Sequence, residues 1–341
     1  MKKKTIGILK VLIPTCVGVY LFWYFYDEMS DSQKSNFFLK ITEVNYFWIV
    51  ISLVLSFFSH IIRAHRWKYL LEPMGYHTSF WHRYHALMVG YVVNMVIPRA
   101  GEASRAGMLL KSDDVPFVKA FGTIIAERVI DVILLGIIGL ITISFSYSDF
   151  ITLKLKLLPE DNSTTHDASS LWLWLLGIVT VFMAITIVFF ALNPTLRKKV
   201  MDVIKNLKQG LLSIFHSKNP LAFTSYSFLI WGIYILYFGI CFFALDETKS
   251  VPINGILMAF IGGTIGIMIT NGGVGVYPIF VGAIITFYAF PDFDGGVTHD
   301  TAYALATIIW VVQTLMMIVL GLISLFFFSK NFKIKIDNED I

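Results

Sequence analysis

Six ionisable residues stand where an apolar chain should not hold them. Pro98-Arg99-Ala100-Gly101-Glu102 and then Arg105 follow one apolar run, and Glu127, Arg128 and Asp131 lead into the next. Glu127 and Asp131 are four residues apart and share a helical face, with Arg128 beside it. Charged groups inside a membrane cost several kcal/mol unless paired or hydrated, so they belong to a protein interior or a wet cavity. Arg99, Arg105 and Arg128 balance Glu102, Glu127 and Asp131, and such a set would serve simply to pin two helices together. It would also do chemistry. Arginine stays charged in any pocket and its donor fork matches a phosphate. The carboxylates would orient the arginines, and Glu127 or Asp131 would exchange a proton.

A second irregularity is Asn271-Gly272-Gly273-Val274-Gly275, with Pro278 behind it. Glycine and proline release the backbone from helical geometry. The freed N–H and C=O groups are tolerated at membrane depth only where protein or water surrounds them. Other groupings carry plainer readings. His77, His82 and His85 lack an HExxH pattern and read as interfacial residues beside Trp81 and Tyr84, so no metal or cofactor is expected. Arg63-Ala64-His65-Arg66-Trp67-Lys68 and the basic stretch 197–218 read as surfaces for acidic lipid headgroups rather than nucleic acid. Cys16 and Cys241 form no disulfide framework.

The elements that position these residues follow from composition. Of 341 residues 56% are hydrophobic and only 15% charged, with 30 Phe, 15 Tyr and 8 Trp and a mean hydropathy of +0.71. A soluble fold cannot hide that much apolar surface. A soluble enzyme, a nucleic-acid binder and a disordered chain are therefore excluded. Segments 11–26, 46–62, 132–147 (entered through 117–131), 171–192, 221–245 and 302–328 are apolar enough to read as spanning helices. The first follows Lys2-Lys3-Lys4 and has no small-residue cleavage site, so it reads as a retained anchor.

Two segments break the length rule. Segment 84–97 is too short to cross comfortably, and 251–290 is a 40-residue uncharged run broken at the glycines. Both read as broken helices that enter the membrane and turn back, the first from inside and the second from outside. With both termini cytoplasmic, nineteen of the 27 lysines and arginines then fall on inside segments and five outside, leaving Arg99, Arg105 and Arg128 in the membrane. That bias follows the positive-inside rule. The expected architecture is an all-α polytopic membrane protein of about six spanning helices plus two re-entrant broken-helix hairpins. It forms one integral membrane domain over 1–341: anchor helices in 1–83, a hairpin plus helix in 84–147, connecting helices in 148–250, a second hairpin plus helix in 251–328, and a cytoplasmic tail in 329–341. The two hairpin-plus-helix units form an inverted repeat, a recurrent transporter plan.

The run Asn94-Met95-Val96-Ile97-Pro98-Arg99-Ala100-Gly101-Glu102, with Arg105, Glu127-Arg128-Val129-Ile130-Asp131 and Gly272-Gly273-Val274-Gly275, resembles the lysylphosphatidylglycerol synthase transmembrane-region family. The resemblance covers about residues 10–328. It implies a flippase-like membrane protein with Asn94, Arg99, Glu102, Arg105, Glu127, Arg128, Asp131, Asn271, Gly272, Gly273 and Gly275 around its substrate. The family usually has proline before the glycine pair and an acidic residue after it; here Asn271 and Pro278 stand in those places. The chain runs to Ile341 just past the last apolar run, so the soluble aminoacyltransferase domain of two-domain members is not expected.

The expected function is movement of an anionic lipid, a phospholipid or a polyprenyl-phosphate carrier, between leaflets of the cytoplasmic membrane. Two rivals are an intramembrane enzyme using Glu127 and Asp131 as acid and base, and a non-catalytic partner of a separate lipid-modifying enzyme. The sequence offers the enzyme neither an activated nucleophile nor a metal cluster.

Overall fold

The computed structural model describes residues 19–20, 23–24, 26–27, 29–157, 219–293 and 297–339. Among them the chain is entirely helical. The α-helices are α1 (Asp31–Glu43), α2 (Tyr46–Leu71), α3 (Phe80–Val96), α4 (Gly101–Asp113), α5 (Phe117–Phe145), α6 (Tyr147–Leu157), α7 (Pro220–Ile240), α8 (Ile253–Ile269), α9 (Val276–Ala289) and α10 (Asp300–Glu339). Three stretches are long and apolar enough to cross a bilayer: Tyr46–Met74, Pro220–Ala244 and Asp300–Phe328. A fourth arises if Phe117–Phe145 and Tyr147–Leu153 act as one bent span. These apolar lengths are those of an integral membrane protein. Most of the expected span 11–26, all of 171–192 and the basic stretch 197–218 lie outside the described residues.

Local chemistry sets the element ends. Ser30 and Gln33 form a reciprocal capping box that starts α1. The residues just after α5 form the short helix α6. Pro116 precedes α5, and Pro220 opens α7 at a first-turn position that needs no donor. α10 continues as helix through the segment 329–339.

Both irregular segments are helical hairpins. α3 and α4 pack against each other across residues 97–100, and α8 and α9 do so across 270–275. Glycine permits the first contact: a Cβ built on Gly101 would lie 2.1 Å from the Gly90 carbonyl oxygen. The first turn places Arg99 at φ +64°, a left-handed conformation that costs a side-chain-bearing residue about 1–2 kcal/mol. The second turn places Gly272, Gly273 and Gly275 at φ +70°, +81° and +72°, which only glycine adopts freely.

α10 measures where the hairpins reach. α9 lies with Gly282 against the Tyr303 backbone, and the second turn ends at Trp310, whose indole N–H donates to the Gly272 carbonyl at 2.8 Å. α3 approaches from the other end. His85 stacks on Phe327, and Val92 and Met88 close on Gly321. The two hairpins therefore run along α10 from opposite ends and point their turns at its middle, near Gln313. The Asn271–Gly273 turn also packs against α3. Val96 and Ile97 at one tip, and Met268 and Ile269 at the other, are left exposed. α2 packs along α7, α1 docks on α10, and α5 closes on α4.

Candidate functional site

The site begins at the first hairpin turn. The Asn94 side chain accepts from the Gly101 N–H at 2.7 Å, capping the start of α4, and its amide reaches Glu102 at 3.4 Å. Asn94 therefore holds the turn closed, satisfying one of the orphan donors of a helix start. Glu102 accepts from Arg128 of α5 at 2.9 Å, a pair that remains partly exposed.

Deeper in, a second layer is fully enclosed. Arg105 of α4 donates to Glu127 of α5 at 2.9 Å and lies over the Trp67 ring at 4.3 Å. Trp67 is fixed in turn by donating to Thr123 at 2.8 Å. Asp131 accepts from Arg63 at 2.6 Å and from Arg66 at 3.0 Å. Arg66 also donates to Ser227 and sits over Phe223, while Arg63 donates to Tyr234 at 3.0 Å. Four helices, α2, α4, α5 and α7, thus meet on one ionic cluster. Arg66 and Glu127 have no solvent exposure.

The cluster is not balanced. Four arginines (Arg63, Arg66, Arg105 and Arg128) face three carboxylates (Glu102, Glu127 and Asp131), leaving one surplus positive charge. Among the described residues, Arg63 Nε, Arg66 Nε and Nη2, and Arg105 Nε and Nη1 are buried without a hydrogen-bond partner. Unpaired buried donors are costly, and charged ones more so. The arrangement is complementary to a small anion that would accept from several guanidinium groups at once.

Several sequence expectations are corrected by this geometry. Arg99 makes no ion pair among the described residues and stands exposed at the turn, where its backbone is left-handed. The third pair of the expected set is instead Asp131 with Arg63 and Arg66. Those two arginines were read as part of a surface cluster for lipid headgroups; they are buried, since α2 turns that face toward α5 and α7. Arg83 is buried as well, and donates to the Ala64 and Thr78 carbonyls. A signal for Arg63 and Arg66 was present: Ser52, Ser56, Ser59, His60, Arg63 and Arg66 recur every three or four residues and line one buried helical face.

The histidines separate. His82 pairs with Asp113 at 3.0 Å, and His85 lies stacked between Trp81 and Phe327. Among the described residues no three His, Cys, Asp or Glu side chains gather as a metal site. At the second break Thr270 donates to the Val274 carbonyl at 3.1 Å, and Trp310 takes the Gly272 carbonyl. Gly272, Gly273 and Gly275 form this turn and do not join the ionic cluster.

The comparisons agree with the membrane character. The family model described as the lysylphosphatidylglycerol synthase TM region matches residues 8–321. A UPF0104 membrane protein of Methanocaldococcus jannaschii is 27% identical over 155 residues, which are 43% of this chain and 46% of that protein, so the match spans about half of each. UPF0104 membrane proteins of Methanothermobacter thermautotrophicus and Pyrococcus horikoshii are each 24% identical over 83% of this chain, covering 86% and 87% of their own lengths. No solved structure matches.

Proposed function

Because this chain belongs to the lysylphosphatidylglycerol synthase transmembrane-region family, an integral membrane family, we propose that it carries an anionic lipid between the leaflets of the cytoplasmic membrane. The observation that carries this reading is the buried four-helix cluster, which among the described residues has one arginine more than its carboxylates and five guanidinium nitrogens without a hydrogen bond, one of them, Arg66 Nε, 3.9 Å from Glu127 Oε1. A phosphate-bearing headgroup supplies the missing negative charge and acceptors. The partly exposed Arg128–Glu102 pair is the entry: the phosphate displaces the Glu102 carboxylate from Arg128 and then reaches Arg105 and Arg66. Arg99, at the tip of the first hairpin, meets the headgroup on its way.

The hairpins give the path. In this reading they are re-entrant segments of an inverted repeat, entering from opposite faces with both chain termini cytoplasmic. Their opposite approach along α10, and their exposed tips near its middle, support that arrangement. Irregular backbone at such depth needs a protein or aqueous lining, and discontinuous helices meeting near the midplane are where transporters hold cargo.

The test is leaflet exchange of labelled phosphatidylglycerol in vesicles containing the purified protein. Exchange without chemical change of the lipid is expected, and Arg128→Ala should slow it at least tenfold while the protein still inserts. A chemically modified lipid would replace this reading with the enzyme. Unaltered exchange by Arg128→Ala and Arg99→Ala would remove the arginine site.

A further inference from the structure

One buried titratable group has no part in the ionic cluster. His60 is 6% exposed, and neither ring nitrogen has a hydrogen-bond partner among the described residues. A neutral imidazole always carries one N–H and one lone pair, and each is destabilising when buried bare. Leucine or phenylalanine would fill the space without that cost. An ionisable residue inside a membrane span calls for a functional partner.

His60 sits on the buried face of α2, one turn from Arg63, with its ring 5.2 Å from that of Tyr91 on α3. From there a seam of polar side chains runs along α2. Arg63 donates to Tyr234, and the Tyr234 and Tyr237 rings are 5.8 Å apart. Ser59 donates to the Ser56 carbonyl at 2.6 Å, and Gln313 of α10 donates to Ser52 at 3.2 Å. From Ser52 to Arg66 this seam covers about 21 Å at about 1.5 Å per residue. Small serines also let α7 approach α2 closely, but close packing does not require an unpartnered imidazole within the series.

We propose that His60 is the proton-binding residue of this protein and that it takes up one proton when an anion occupies the arginine cluster. The inference rests on the proposed lipid exchange. The charged and titratable groups around it are Arg63 on α2, Tyr91 on α3, Tyr234 and Tyr237 on α7, and Asp131 on α5 beyond Arg63. With the cluster empty, Arg63 and the surplus positive charge oppose an imidazolium. A bound phosphate cancels that surplus one helical turn away, and the bare imidazole nitrogen takes a proton from water. When the phosphate leaves, the proton returns to water. Each site raises the occupancy of the other by the same factor, so a pH gradient drives lipid movement.

The experiment uses the full chain in vesicles with fluorescent phosphatidylglycerol, an entrapped pH dye and an imposed pH gradient. The readout is the ratio of exchange rates with and without the gradient. The wild type should show a ratio of about five or more and a lipid-dependent pH change. His60→Gln should bring the ratio to about one and abolish the pH change. His60→Asn, which likewise takes no proton, should give the same ratio, and it decides the matter should the His60→Gln variant fail to fold. A His60→Gln protein that keeps the gradient response overturns the inference while leaving the lipid exchange intact. A wild type that exchanges lipid with a ratio of one does the same. A wild type that moves no lipid overturns both.

Discussion

Asp131 is the residue on which the buried cluster turns. It answers two arginines of α2, and neither has another carboxylate within hydrogen-bonding distance among the described residues. Removing one partner of a buried pair leaves uncompensated charge and costs about 3–5 kcal/mol. Asp131→Asn should therefore lower the thermal midpoint of the detergent-solubilised protein markedly. Arg99→Ala should change it by no more than about 0.5 kcal/mol in stability, as expected of an exposed side chain with no ion pair. Equal losses in the two variants would contradict the assignment of partners. The sequence made Asp131 legible as a membrane-buried acid, because its neighbours are apolar. It did not reveal which arginines answer it, because Arg63 is 68 residues away and meets Asp131 only when α2 and α5 pack.

At the scale of elements, each hairpin is tied at its open end by a carboxylate. Asp113 closes α4 onto the Ser79 N–H and His82 at the start of α3. Asp149 of α6 accepts from Tyr288 at 2.7 Å and Asn254 at 2.8 Å, joining the ends of α9 and α8. A third tie fastens α1: Lys40 pairs with Glu247 at 2.6 Å and Glu43 at 2.7 Å. Hydrogen bonds to Glu247 and then Glu43 raise the Lys40 ammonium above its ordinary 10.5. For Glu247, burial works upward, but the Lys40 hydrogen bond, its own backbone bond and the Lys40 charge outweigh it and hold the carboxyl below 4.5. The Glu247 contribution is present above about pH 4.5 and lost as pH falls through the depressed value; the Lys40 contribution is present below 10.5 and lost as pH rises through the raised one. The pair is partly exposed, so its worth is within about 1 kcal/mol. Thermal melts of wild type and Glu247→Gln should differ by a few degrees at pH 7, and the gap should narrow as pH falls below 4.5 through the depressed value. Equal melts of the two proteins at pH 7 would refute the tie.

For the whole molecule, α10 is the common wall on which both hairpins lie. A Cβ built on Gly321 would be 3.3 Å from the Val92 Cβ, close to the separation a disulfide spans. Val92→Cys combined with Gly321→Cys should therefore cross-link α3 to α10 on mild oxidation, seen as a shift on a non-reducing gel that neither single variant shows. If the first hairpin moves during lipid exchange, oxidation should stop exchange and reduction restore it. An absence of cross-linking would place α3 elsewhere than along α10.

Composition alone settled that this is a helical membrane protein, because so apolar a chain has no other solvent. It also located both breaks, since proline and glycine act on the backbone within a residue or two. The ends of local elements were partly legible: the Ser30–Gln33 capping box and the buried stripe on α2 are written in spacing. What tertiary structure decided is which charges meet. Ion pairing depends on the rotation of four helices about their own axes, and that rotation is fixed by packing between segments far apart in the chain. Thus Arg63 and Arg66 went inward and Arg99 outward, although all three are the same residue type in similarly apolar surroundings.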